Sequence, residues 1–546
     1  MRWGKTSAPR ILETWSHSNT AQSMKSRTHR GPDAMIGWAP PTSRRARASV
    51  RTSRWNVEGD DACRPDRPPR ATPLALRAWT GAPPPRCSRF PRFPAPWPRA
   101  ASRELLMAKL MIFPLPHTGH LNPCLRLADE LQRLGHQVVF CCMLAAEQAV
   151  RAAGFEFVPI FESSLARDYL VQASTRMGRS RSLLGLLSPL RDSVRSQNAM
   201  FQALLDGELD RTIERIRPDL ILFDERFKYA GPAVHASGIP FLRLHTTVPL
   251  HFREHLFGQP VRRPKPVMRV LAKAIHGTLV GLGLHARFEF AFETLLRQKN
   301  LGTPGNNPFH GVGGVNELML FPEAFANIAG TAAAARIHHV GPCINQEHRE
   351  AQPFAWERLR EDRPLIVFSM GTRGYVSKWV PPLLRAMVDV AKQRPDWQFV
   401  MGTGTSADPA TLDGRAPNLI AVQSFPQLPL LRRAAVMVTH AGFNTVKECI
   451  WEGVPMVALP LTQDQPFVAR IVDKHGIGVM APPRELGAPG LLALLDKVLG
   501  DPSYKQAVTA MSARFHEADR PEPLEELVQR MLRQHREVAS PTTEVA

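Results

Sequence analysis

No run of about 18 apolar residues occurs anywhere in the 546-residue chain, which excludes a helix long enough to span a bilayer. Nothing before Met107 supplies the apolar core that a secretory signal needs. The seven cysteines (Cys63, Cys87, Cys124, Cys141, Cys142, Cys343, Cys449) are odd in number and scattered, so neither a disulfide framework nor zinc-ligand spacing is present. A reducing, cytoplasmic setting fits that usage, and Cys141 and Cys142 read as buried strand residues. The lysine of a phosphate-binding P-loop and the glycine spacing of a dinucleotide fingerprint are also missing. From Met107 onward there is no Asp-x-Asp pair to hold a divalent ion on a diphosphate.

What is present begins with charge. The chain carries 69 Lys and Arg against 49 Asp and Glu, a net of +20, which would point to nucleic acid if it were spread over the fold. It is not spread. Residues 1–106 hold 20 basic and 7 acidic residues, 15 of the 50 prolines and 6 of the 10 tryptophans, leaving a mildly basic body and no expectation of a nucleic-acid partner. That stretch has no sustained apolar period and is expected to be a disordered Arg/Pro-rich extension. It is read as sequence upstream of a true start at Met107. A polyanion-binding arm and a targeting peptide are the other two readings.

Hydrophobic residues make up 44% and charged residues 22% of the chain, enough for large cores outside the extension. From Met107, short apolar runs alternate with amphipathic stretches, the pattern of parallel strands joined by crossover helices. Strands are expected at Leu110–Leu115, Gln137–Cys142, Phe155–Ile160, Leu220–Phe223 and Phe241–Leu244, with a helix ending at Gly135 and another near Met200–Ile216. After a polar, irregular segment at 341–363 the alternation resumes, with strands at Leu365–Met370, Trp397–Met401, Leu419–Gln423, Val436–Thr439 and Met456–Leu459. The expected fold is α/β: two doubly wound domains, 107–340 and 364–520, joined by a linker at 341–363 and facing a shared cleft. Residues 521–546 form a last helix, able to return across the linker, and a frayed tail. Val270–Phe292 reads as an amphipathic helix over a ligand pocket, with peripheral contact to a membrane surface as the other reading.

The most informative segment is Val436-Met437-Val438-Thr439-His440-Ala441-Gly442-Phe443-Asn444-Thr445, followed by Glu448, Gly453-Val454-Pro455 and Asp464-Gln465. A strand empties into a helix whose N-terminus favours an anion, with Gly442 allowing close backbone approach and Asn444 and Thr445 offering donors. Glu448 lies one turn further on the same face, placed to accept two ribose hydroxyls. Plainer roles exist for each residue taken alone: a structural histidine at His120, an N-cap at Asp224, a solvated helix face at Glu448, a helix cap at Asp464.

In order and spacing these residues resemble the nucleotide-sugar signature of glycosyltransferase family 1, the UDP-glycosyltransferases of the GT-B fold. The resemblance implies that His440, Gly442, Asn444 and Thr445 bind the diphosphate, Glu448 the ribose, and Asp464 with Gln465 the sugar, with glucose as the usual partner of that pair. Ser369-Met370-Gly371-Thr372 resembles the second phosphate loop, with Thr372 at the hydroxyl position. The family's Trp-x-Pro-Gln is Ser424-Phe425-Pro426-Gln427 here, so Phe425 takes the base-pairing backbone position, Gln427 the ribose role, and a serine the stacking position. Upstream, Phe113 through Pro123 resembles the loop of the catalytic histidine, matching His120 rather than His117, and Asp224 matches the aspartate that orients it. Phe354-Ala355-Trp356-Glu357-Arg358-Leu359 resembles bacterial carotenoid (zeaxanthin-type) glucosyltransferases.

The implied activity is inverting transfer of a hexose from a UDP-sugar to a lipophilic small-molecule acceptor bound by 107–340, with 364–520 binding the donor, and with no cofactor and no metal. A sugar-nucleotide epimerase, a cell-wall N-acetylglucosaminyl transferase and a non-catalytic nucleotide-sugar-binding protein are the alternatives.

Overall fold

The computed structural model describes residues 106–165, 183–249, 252–258, 278–280, 288–301, 315–327, 334–348, 352–371 and 377–539. The expected extension up to residue 105, Thr372, the tail from Ser540 and most of Val270–Phe292 lie outside the described residues.

The first sheet has seven parallel strands: β1 (Lys109–Phe113), β2 (Gln137–Cys142), β3 (Glu156–Pro159), β4 (Leu220–Asp224), β5 (Phe241–His245), β6 (Glu317–Met319) and β7 (Ile337–His339), in the order 3-2-1-4-5-6-7. The second has six: β8 (Leu365–Ser369), β9 (Gln398–Gly402), β10 (Leu419–Val422), β11 (Ala434–Thr439), β12 (Met456–Ala458) and β13 (Gly478–Met480), in the order 10-9-8-11-12-13. The doubly wound α/β expectation holds in both halves. Parallel strands are covered on both faces, which is why they read as continuous apolar runs. In β1, Leu110 and Ile112 join one buried cluster and Met111 and Phe113 the other.

Each sheet reverses its winding once, between β1 and β4 in the first and between β8 and β11 in the second. Phe113 pairs with Phe223 across the first reversal, and Ser369 pairs with Thr439 across the second. Chains leaving such adjacent strands diverge to opposite faces of the sheet and open a crevice at the carboxyl ends.

Four helices border these crevices or the crossing between the domains: α1 (Thr118–Arg133), α2 (Phe443–Trp451), α3 (Gln465–Lys474) and α4 (Glu522–Ala539). The strands β6, β7 and β13 are additions to the expected set, and the helix near Met200–Ile216 is two, Leu183–Leu205 and Glu208–Ile216. The break falls at Gly207, whose φ of 75° takes the chain out of helical conformation.

The last helix belongs to the first domain. Leu524, Leu527, Val528, Met531 and Leu532 of α4 are buried among Leu110, Leu127 and Leu131, and each such side chain contributes roughly 1.5–3 kcal/mol of burial. Where the chain crosses between the domains, Gly341 packs so closely on Asp519 that a Cβ there would sit 3.0 Å from the Asp519 Cα. Beside this crossing Lys447 of α2 is buried and donates to the carbonyls of Leu320 and Pro342 at 3.0 and 2.8 Å. Burial pushes the pKa of its ammonium down to about 8.

Candidate active site

At the first reversal, β1 runs through Pro114–Pro116 into α1, whose first turn carries His120, and β4 ends in Asp224. His120 Nδ1 lies 2.6 Å from Asp224 Oδ2 and 2.8 Å from Thr246 Oγ1. The carboxylate is buried, and its other oxygen accepts the Arg226 N–H at 2.9 Å. Burial would raise this carboxyl, but the neighbouring His120, its hydrogen bond and Arg226 together outweigh that and hold it below the usual carboxylate range. An ionised Asp224 only accepts, so the imidazole proton is fixed on Nδ1 and the lone pair on Nε2. Asp224 therefore combines two readings, serving the turn at Arg226 with one oxygen and the histidine with the other. His117 lies beside this pair, its ring 6.5 Å from that of His120.

At the second reversal, His440 follows β11 and leads into α2. Its ring lies against two glycines: a Cβ on Gly371 would sit 2.2 Å from Cε1 and one on Gly442 2.4 Å from Nε2. Burial pushes this imidazole down to about 4, against a smaller upward pull from Asp464, so at neutral pH it is an uncharged donor. The N-cap of α2 is Gly442, which has no side chain with which to cap the helix. The Phe443, Asn444 and Thr445 N–H groups precede the helix's own hydrogen bonds and point outward, the arrangement that binds an anion. Ala441 and Gln463, each at φ near 60° (59° and 60°) without being glycine, mark local backbone strain on both loops that bring the motif residues together.

The remaining motif residues fall into three groups. Gln427 donates to Glu448 and, at 3.3 Å, to Thr445, and Glu448 is buried rather than on a solvated face. Asp464 makes no cap to α3; its carboxylate accepts from Thr247 at 2.5 Å and lies 3.7 Å from the Arg226 guanidinium. Gln465 Oε1 accepts the Leu461 and Thr462 N–H groups, both at 2.9 Å, which holds the loop in front of α3. The Phe425 ring is buried against Gly402 and in the core, so only its main chain is left toward a base, and Ser424 beside it is exposed. Thr372 lies outside the described residues. Cys141 and Cys142 are buried, and burial pushes both thiols far up.

Asn444 and Asp464 join the two halves at the site. Asn444 Nδ2 donates to Gly119 O at 2.7 Å, next to His120, and Asp464 meets Thr247 and Arg226. The carboxyl ends of the two sheets thus face each other around one site. Sequence patterning alone does not single out Thr246, Thr247, Arg226 or Lys447. A Thr-Thr pair directly after a strand next to the winding reversal is the available signal for the first two.

Residues 342–531 match the family model described as UDP-glucoronosyl and UDP-glucosyl transferase. The chain is 26% identical over 404 residues to the NDP-glycosyltransferase YjiC of Bacillus subtilis, covering 74% of this chain and 92% of that protein. Among solved structures, the glycotransferase of kitacinnamycin superposes with a TM-score of 0.59 at 23% identity, covering 78% of this chain and 99% of that one. The spinosyn rhamnosyltransferase SpnG, complexed with thymidine diphosphate, superposes with a TM-score of 0.52 at 19% identity, over 77% of this chain and all of that one. With two doubly wound domains, a helix N-terminus open at the second winding reversal and a family model that matches residues 342–531, the chain has the GT-B fold and its second domain resembles that of the UDP-glycosyltransferases.

Proposed function

We propose that the protein transfers a hexose, glucose, from a UDP-sugar to a hydroxyl of a lipophilic small molecule, with inversion at the anomeric carbon. The observation that carries this reading is the 2.6 Å contact of His120 Nδ1 with Asp224, which turns the Nε2 lone pair into a general base. The acceptor O–H gives its proton to Nε2 as its oxygen bonds to the anomeric carbon. The bond from that carbon to the diphosphate breaks, and the nucleoside diphosphate leaves. Its charge falls on the N-terminus of α2 and on the neutral His440 N–H, so no metal ion is required. Asp464 and Gln465 hold the sugar hydroxyls, and Gln427 with Glu448 the ribose.

An epimerase takes no acceptor, and a binding module has no use for an oriented base. A second reading of the donor base has its own support: Ser424 is exposed and the Phe425 ring is buried, so neither of these two residues offers an aromatic face to uracil, and a structural relative is complexed with thymidine diphosphate. The test is a panel of hydrophobic alcohols and phenols with UDP-glucose and, in parallel, dTDP-glucose, read by mass spectrometry. A glycoside of inverted configuration by NMR, formed at the same rate with and without added Mg²⁺, is the expected result. Hydrolysis or epimerisation without transfer would overturn it, and faster turnover of the thymidine donor would correct the base.

A further inference from the structure

On the side of α1 facing the linker, a carboxylate is buried with half of its hydrogen-bonding capacity unused. Asp129 is 8% exposed; its Oδ1 is 2.7 Å from His348 Nε2, while Oδ2 is buried and has no hydrogen-bond partner among the described residues. An ionised oxygen sealed from water without a donor is costly, and the cost is removed by a cation placed against it. The groups around it suit one. A carboxylate oxygen of Asp129, one of Glu347 and a ring nitrogen of His348 all lie within 4.8 Å of one another, so a small closing movement brings all three to a common ion.

We propose that Asp129, Glu347 and His348 form a binding site for one zinc ion, separate from the donor and acceptor sites. Two carboxylates and one neutral imidazole neutralise a divalent charge and supply the mixed nitrogen and oxygen set that zinc takes, with water as the fourth ligand. Magnesium, which demands an octahedron of oxygens, is a poor match. The His348 main chain is already held: its N–H donates to Asn345 Oδ1 at 2.9 Å and its carbonyl accepts from Asn345 Nδ2 at 3.2 Å. Binding requires the Nε2 lone pair, so the ring proton moves to Nδ1 and the hydrogen bond to Asp129 is replaced by two metal bonds. Glu347 is the member freest to turn, exposed and paired with the surface Arg133 at 3.1 Å, a solvent-screened pair that holds it weakly. The site fastens the linker to α1, the helix that carries His120 at its other end.

The experiment uses the full chain, stripped with EDTA and dialysed, titrated with zinc chloride by calorimetry, with cobalt(II) absorption as a second readout. The expected result is one zinc per chain, visible bands of four-coordinate cobalt, and no heat with magnesium. Glu347→Gln, a change at an exposed side chain that leaves the fold intact by circular dichroism, and His348→Gln each weaken zinc binding at least about tenfold, the loss already typical of outer-shell partners. No zinc binding by the wild-type chain, or undiminished binding by both variants, as expected if zinc sits on others of the 19 histidines, would overturn the proposal.

Discussion

The two winding reversals place functional residues in the same topological position and equip them differently. At the first, His120 bonds to both Asp224 and Thr246 within a single domain, beside a buried carboxylate. At the second, His440 lies between two glycines, α2 offers backbone N–H groups, and Asn444 and Asp464 spend their side chains on the opposite domain. A proton-transfer group needs fixed orientation, which side chains locked from behind supply. A site for a large anion needs room and main-chain donors, which glycine and a bare helix end supply. Damage to the first reversal should therefore fall on turnover, and damage to the second on donor affinity.

The largest expected effect is that of His120→Ala, which removes the proposed base and should cut turnover by about 10²–10⁴-fold while calorimetric donor affinity stays within about twofold. A large loss of donor binding in this variant would break the division of labour. Asp224→Asn comes next: the amide keeps the shape and the contact to the Arg226 N–H but no longer fixes the tautomer or stabilises the imidazolium, and turnover should drop by about 10²-fold in a folded protein. Circular dichroism and single-turnover rates separate this from unfolding. Gly442→Ala drives a Cβ into the His440 ring and should weaken donor binding by about tenfold, or about 1.4 kcal/mol, with turnover at saturating donor little changed. If turnover falls and affinity does not, the second reversal holds part of the chemistry.

The smallest effect belongs to Lys447, which serves neither reversal and ties α2 to the crossing between them. Its folded value of about 8 lies below the unfolded value, so at low pH a charged, buried ammonium weighs on the folded state, and that penalty is relieved as pH rises through the folded value. Between pH 8 and 9 the unfolded chain holds the proton and the folded one releases it, so the stability of wild type relative to Lys447→Met in urea should rise by roughly 1 kcal/mol, the buried thiols pulling both proteins the other way alike. The overall stability of Lys447→Met should be lower because two buried carbonyls lose their donor.

The central strands could be read from the sequence because full burial on both faces leaves an unbroken apolar run, as in Leu220–Phe223 or Leu365–Phe368. Most of the shortest strands could not. β6 and β7 are three residues each and carry Glu317, His338 and His339, so neither length nor apolarity marks them. The donor motif was legible because a strand, a glycine and a helix N-terminus are contiguous in the chain. Thr246, Thr247 and Arg226 reach the site only through the adjacency of β4 and β5 in the sheet and through contact between the domains, and Lys447 looks like any helix-surface lysine until the crossing covers it.

The return of α4 to the first domain has a consequence for synthesis. A ribosome delivers residues 107–340 long before it delivers Leu524, Leu527, Val528, Met531 and Leu532, so the emerging first domain waits with an apolar groove uncovered beside α1. The second domain, from Leu365 to Ala518, has all its strands in hand before that groove is filled. The native order of completion is therefore reversed relative to the order of translation: the half that is made first is finished last, and a chain cut short before Glu522 leaves its damage in the domain farthest from the cut in sequence.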